Sequence, residues 1–139
     1  MDLLAVQRSL RSRFDDFRLA AQRQNATAAE VALDDFERHF TRWTEAEEQA
    51  LIPALERAHV ERRDVRRELR LEFVQIRELT RFVLQQIREG VRLDDLRGYI
   101  ANLDSRLHAH ELGMERTYIP AAQLNEEETR VLEAARPPD

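Results

Sequence analysis

The chain has no cysteine, no lysine, only three glycines and four prolines, and no long apolar run. Without cysteine there are no disulfides and no thiolate metal sites. So few glycines and prolines leave little material for turns, which points to a mostly helical chain with few loops. The longest uninterrupted apolar stretches are three or four residues, far below the roughly 20 that a membrane-spanning helix needs. With no signal-peptide pattern either, the expectation is a soluble, cytoplasmic protein that does not engage a membrane. All 22 basic residues are arginine, which is attributed here to a GC-rich genome rather than to function. They are outnumbered by 27 acidic residues, and the net charge of −5 argues against a nucleic-acid partner. The basic run Arg62-Arg63-Asp64-Val65-Arg66-Arg67-Glu68-Leu69-Arg70 interleaves acids at helical spacing, as a solvated, self-paired helix face does.

Over 139 residues the composition is 42% hydrophobic and 35% charged, enough for one domain with a real core. Apolar residues recur every three or four positions in four long segments. The first runs from about Asp2 to Gln24 through Leu3, Val6, Leu10, Phe14, Phe17 and Ala21. Thr27-Ala28-Ala29-Glu30 reads as a capping box opening the second. Its stripe is Leu33, Phe36, Phe40, Trp43, Glu47, Leu51, Leu55, so one member of an apolar row is a glutamate. Pro53 is expected to kink that helix or loosen its last turns.

The third helix spans roughly Val60 to Glu89, with Leu69, Phe73, Ile76, Thr80, Val83 or Leu84, and Ile87 inward, and Gly90 ending it. The fourth starts near Asp94 as N-cap and carries Ile100, Leu103, Leu107, His110, Met114 and Tyr118, with Pro120 at its kink or end. Asn125 is placed to cap a short terminal helix through about Ala135, and residues 136–139 are expected to form a disordered tail. Short connections between such helices imply an all-α, up-down-up-down antiparallel four-helix bundle over residues 1–135.

One segment occurs twice. Trp43-Thr44-Glu45-Ala46-Glu47-Glu48-Gln49-Ala50-Leu51-Ile52-Pro53 has a counterpart in His110-Glu111-Leu112-Gly113-Met114-Glu115-Arg116-Thr117-Tyr118-Ile119-Pro120. Each copy sets a ring ten positions before the proline and an acid four or five positions after the ring. On helices this aims a ring and a carboxylate at one interior point, the arrangement of a metal cage inside a helical bundle.

The Glu47-Glu48-x-x-Leu51-Ile52-Pro53 and His110-x4-Glu115-x4-Pro120 segments resemble those of the hemerythrin-like (HHE cation-binding) domain family, and the resemblance covers nearly the whole chain. It implies two non-haem irons held by histidines from all four helices and by two carboxylates. Position by position, Phe14 stands for the first-helix histidine, and Trp43 and Glu47 for the second-helix pair. Phe73 and Arg77 stand for the third-helix pair, and His110 and Glu115 for the fourth. Only Glu47, His110 and Glu115 of that set retain ligand chemistry, whereas a di-iron centre needs roughly ten to twelve coordination positions filled.

Phe14, Trp43 and Phe73 are most simply packing residues that plug the former cavity. Glu47 is costly among Phe, Trp and Leu unless partnered, by His110, by Arg77 or by a metal. The preferred partner is Arg77, shared with Glu115, its planar guanidinium standing where iron stands in the family. His39 is placed at the pocket edge, His108 pointing away from His110, and His59 in a connection.

The leading expectation is a metal-free binding or regulatory module with an unidentified protein partner or a small apolar ligand. A second is a mononuclear non-haem iron or manganese protein using Glu47, His110 and Glu115, in oxygen or nitric-oxide sensing or redox response. A third is a structural helical homo-oligomer. No nucleophile–base arrangement or phosphate loop is present, so the sequence leans away from an enzyme without deciding the point.

Overall fold

The computed structural model describes residues 1–59 and 64–138, and every described element is helical. The elements are α1 (Leu3–Gln22), α2 (Ala26–Ala46), α3 (Ile52–Ala58), α4 (Val65–Arg88), α5 (Arg97–Gly113), α6 (Ile119–Ala121) and α7 (Glu126–Ala135). A π-helical turn, Glu47–Leu51, joins α2 to α3, and a second, Met114–Tyr118, joins α5 to α6. Among the described residues no helix is long and apolar enough to cross a membrane.

The expected amphipathic registers appear as one continuous core. Leu3, Val6, Leu10, Phe14 and Phe17 are the buried residues of α1, and Leu69, Phe73, Ile76, Thr80, Val83, Leu84 and Ile87 are buried along α4. Helix α2 packs on α1 and α4, and α4 packs on α5. Arg11 ties α1 to α5 through Glu111 and Asp104. Helix α7 lies against the first π turn and α2.

The ends follow capping chemistry, with two departures from the sequence expectation. Asn25, not Thr27, caps α2, its side chain accepting from the Ala28 N–H at 3.1 Å. Asp94 does not cap α5: residues Leu93–Leu96 form a 3₁₀ turn first, and Asp94 accepts instead from Gln24 Nε2. Helix α4 is capped by Asp64; the expected start at Val60, with Arg62 and Arg63, lies outside the described residues. Gly90 ends α4 with φ of +86°, a conformation costly for any residue with a Cβ. Asn125 and Glu128 form the reciprocal capping box of α7. Beyond α7, Pro137 is buried and the Pro138 carbonyl accepts from Arg13, while Asp139, the end of the expected tail, lies outside the described residues.

The prolines explain the π turns. A proline inside a helix has no N–H to donate and crowds the carbonyl four residues back. In both copies of the repeat the helix continues by widening just before the Ile-Pro step. The N–H of Ile52 bonds the Glu47 carbonyl and that of Ile119 bonds the Met114 carbonyl, each five residues back. The expected kink is thus realised as a local unwinding, a feature common at functional sites.

Candidate functional site

The π turn of α2 begins at Glu47, and this carboxyl is the most anomalous group in the protein. It is 1% exposed, and neither oxygen has a hydrogen-bond partner. Burial, reinforced by the negative charge of Glu72, raises its pKa from 4.5 to about 8. The protonated, neutral form of Glu47 therefore predominates near pH 7, which is how a carboxyl without a counter-charge survives in a core. One helical turn earlier, the Trp43 indole N–H is also buried without an acceptor.

His110 arrives from α5 with its ring almost wholly buried, packed edge-on against Phe73 (centroids 5.6 Å apart) and Phe40 (6.2 Å). Its Nδ1 lies 2.7 Å from Glu72 Oε1 on α4. A carboxylate only accepts, so Nδ1 is the donor in this contact. Such a carboxylate–imidazole pair fixes ring orientation and tautomer. A surface cleft of about 250 Å³, lined by Glu72, Gln75, Ile76, Arg106, Ala109 and His110, opens onto the pair. It is smaller than the ~300–1,000 Å³ typical of ligand pockets.

The core polar set is thus Glu47, Glu72 and His110, and Glu72 was missed in the sequence. It sits one residue before Phe73, at the edge of the buried face of α4 that turns toward α5. Arg77 lies on the other edge, the one that turns toward α2. On that edge Arg70 approaches Glu48, Arg81 bonds Glu37, and Arg88 bonds Glu30 and Asp34. Arg77 is half-buried, forms no ion pair among the described residues, and does not reach Glu47. Glu115 is exposed. Aligned one to one, the repeat pairs Glu47 with Met114, which is fully buried, and Glu115 with Glu48, which is half-exposed. The sequence-based cluster of Glu47, Arg77, His110 and Glu115 is therefore corrected, and the trio Glu47, His110 and Glu115 is not brought together.

The guanidinium between carboxylates does exist, elsewhere. Arg11 holds Glu111 with Nε at 3.0 Å and Asp104 with NH1 at 2.7 Å, at the half-buried seam of α1 and α5. Its partners lie about 90–100 residues away in sequence, so no local spacing announces them. His39 is half-buried, with Nε2 3.3 Å from Asp35; burial lowers its pKa more than Asp35 raises it. His108 and His59 are exposed.

Phe14, Trp43 and Phe73 are at most 1% exposed, and all belong to one core cluster. Phe14 packs on Phe17 and Phe36, and Phe73 on His110. Among the described residues no three His, Asp or Glu side chains are grouped to hold a metal ion. With the buried Glu47 and His110, and Glu72 at the rim, the donors gathered here among the described residues include a single imidazole, which does not fit a two-iron centre that requires several imidazoles and bridging carboxylates. Comparison with protein-family models, with curated proteins and with solved structures finds no match to this chain.

Proposed function

We propose that the chain is a hemerythrin-like up-down-up-down four-helix bundle whose di-iron centre has been replaced by an aromatic core, and that it acts as a metal-free binding or regulatory module. The observation that carries this reading is the complete burial of Phe14, Trp43 and Phe73 in one core, with His110 packed against Phe73. The repeated π turns, each just ahead of an Ile-Pro, support a common origin of the two half-sites. Because the large rings are closed off from solvent, a partner meets the outer helix faces rather than the core.

A second reading, a single metal ion, draws support from the unpartnered oxygens of Glu47 near the Glu72–His110 pair. Metal analysis of protein expressed in iron-rich medium, with an absorption spectrum in the oxo-iron region, separates the two. The aromatic-core reading expects well under about one metal per chain, since three donors leave most of the roughly ten to twelve coordination positions of a di-iron site empty. Stoichiometric iron or manganese, lost in both Glu47→Ala and His110→Ala, overturns it in favour of the mononuclear site.

A further inference from the structure

Five of the six phenylalanines are at most 2% exposed; the sixth, Phe82 on α4, is 41% exposed. It has company. Leu71 is 55% and Val74 37% exposed on the same side of α4, and Tyr99 of α5, 47% exposed, packs against Phe82 with the rings tilted and their centroids 4.9 Å apart. Isolated exposed apolar side chains are ordinary, but half of the large ones exposed among the described residues converge on this face.

The face also has an internal order. Positions 67, 71, 74, 78, 82, 85 and 89 are all exposed and are spaced four, three, four, four, three and four residues apart. That spacing is symmetric about Glu78. It averages 11 residues per three turns, close to the pitch of a straight α-helix, so the stripe does not wander around α4. The charges are antisymmetric: Arg67 lies 11 residues before Glu78, and Glu89 lies 11 residues after it. Neither has an ion pair among the described residues; Glu89 accepts only from Gln85.

We propose that this face of α4 is a homodimer interface in which two copies pack antiparallel about a two-fold axis at Glu78. In an isologous contact, positions equidistant from the axis face each other. Val74 then meets Phe82 of the second copy, Leu71 meets the stem of Gln85, and Arg67 meets Glu89, each twice. Tyr99 widens the apolar centre. A second copy is the fitting occupant because the complementarity lies within one helix: its N-terminal half carries the cation and its C-terminal half the anion. The two Glu78 carboxylates meet at the axis, which holds the association to a modest dimer, with Kd on the order of 10–100 μM. This inference does not depend on the hemerythrin-like reading.

Sedimentation equilibrium of the full chain over a wide concentration range tests it. Wild type is expected to dimerise, Glu78→Gln to tighten the dimer, and Arg67→Glu or Glu89→Arg each to weaken it about tenfold. The double variant Arg67→Glu/Glu89→Arg is expected to recover wild-type affinity, a rescue that general stickiness does not give. All these positions are exposed, and circular dichroism confirms that the variants fold. Because the chain has no cysteine, Glu78→Cys is expected to cross-link to itself through a short bis-maleimide. Glu89→Cys is not, since its two copies lie about 33 Å apart along antiparallel helices. A wild type that stays monomeric to about 1 mM overturns the proposal. So does a dimer whose charge swap fails to rescue, or one in which Glu89→Cys cross-links as readily as Glu78→Cys.

Discussion

Replacing Glu47 by glutamine keeps the shape of a neutral carboxyl but removes its ability to ionise, so it isolates the cost of an unpartnered acid in the core. With its pKa raised from 4.5 to about 8 by burial and then by Glu72, the folded chain keeps a proton that the unfolded chain has released. Between those two pH values the native state binds more protons, so its stability falls as pH rises. The slope is about 1.4 kcal/mol per pH unit, and the loss across the window is roughly 5 kcal/mol. Against a total of about 5–15 kcal/mol for a domain, this is a large fraction.

Urea unfolding of wild type and Glu47→Gln, at half-unit steps from pH 4.5 to 9, reads it directly. Wild type is expected to lose stability progressively above pH 4.5 and to level off above about pH 8. Glu47→Gln lacks this component, so it gains on wild type by several kcal/mol, and the two converge at acid pH. Other titrating groups are common to both proteins and cancel in the difference. A difference that stays constant across the range refutes the argument, because it means that Glu47 titrates alike in the folded and unfolded chains.

Two further substitutions probe the packing and the corrected ion pairing. Trp43→Ala, at a position 1% exposed, is expected to cost about 3–5 kcal/mol in chemical denaturation. As the only tryptophan, Trp43 should show blue-shifted native emission; a maximum like that of indole in water contradicts its burial. Arg77→Met, expected from the sequence to be severe, should now cost less than about 1 kcal/mol, since Arg77 pairs with no acid among the described residues. A loss of about 3 kcal/mol or more in thermal or urea unfolding restores the buried-guanidinium assignment.

Much of the molecule was legible in the order of residues alone. Helix registers followed from apolar spacing, because a helical repeat of 3.6 residues assigns every side chain an angle about its own axis. The oddity of Glu47 was visible for the same reason, as a carboxyl on a stripe otherwise made of Leu, Phe and Trp. Asn125 announced its cap because the N–H it accepts from lies within one turn, although its reciprocal partner Glu128 was not singled out. The repeated segments marked where the helices unwind, since each proline lacks an N–H at a known position. The placement of Glu115 also had an angular answer: measured from His110, a residue four positions on lies about 40° away and one five positions on about 140°. Met114 therefore turns inward and Glu115 outward.

What periodicity does not carry is the rotation of one helix relative to the next. Glu72 and Arg77 flank the same buried face of α4, and the sequence is silent on which flank turns toward α5. Packing decided that Glu72 meets His110, and that Arg11, rather than Arg77, sets a half-buried guanidinium between two carboxylates. Those choices rest on the summed fit of core side chains across helix interfaces, where no single residue pair is strong enough to leave a local mark.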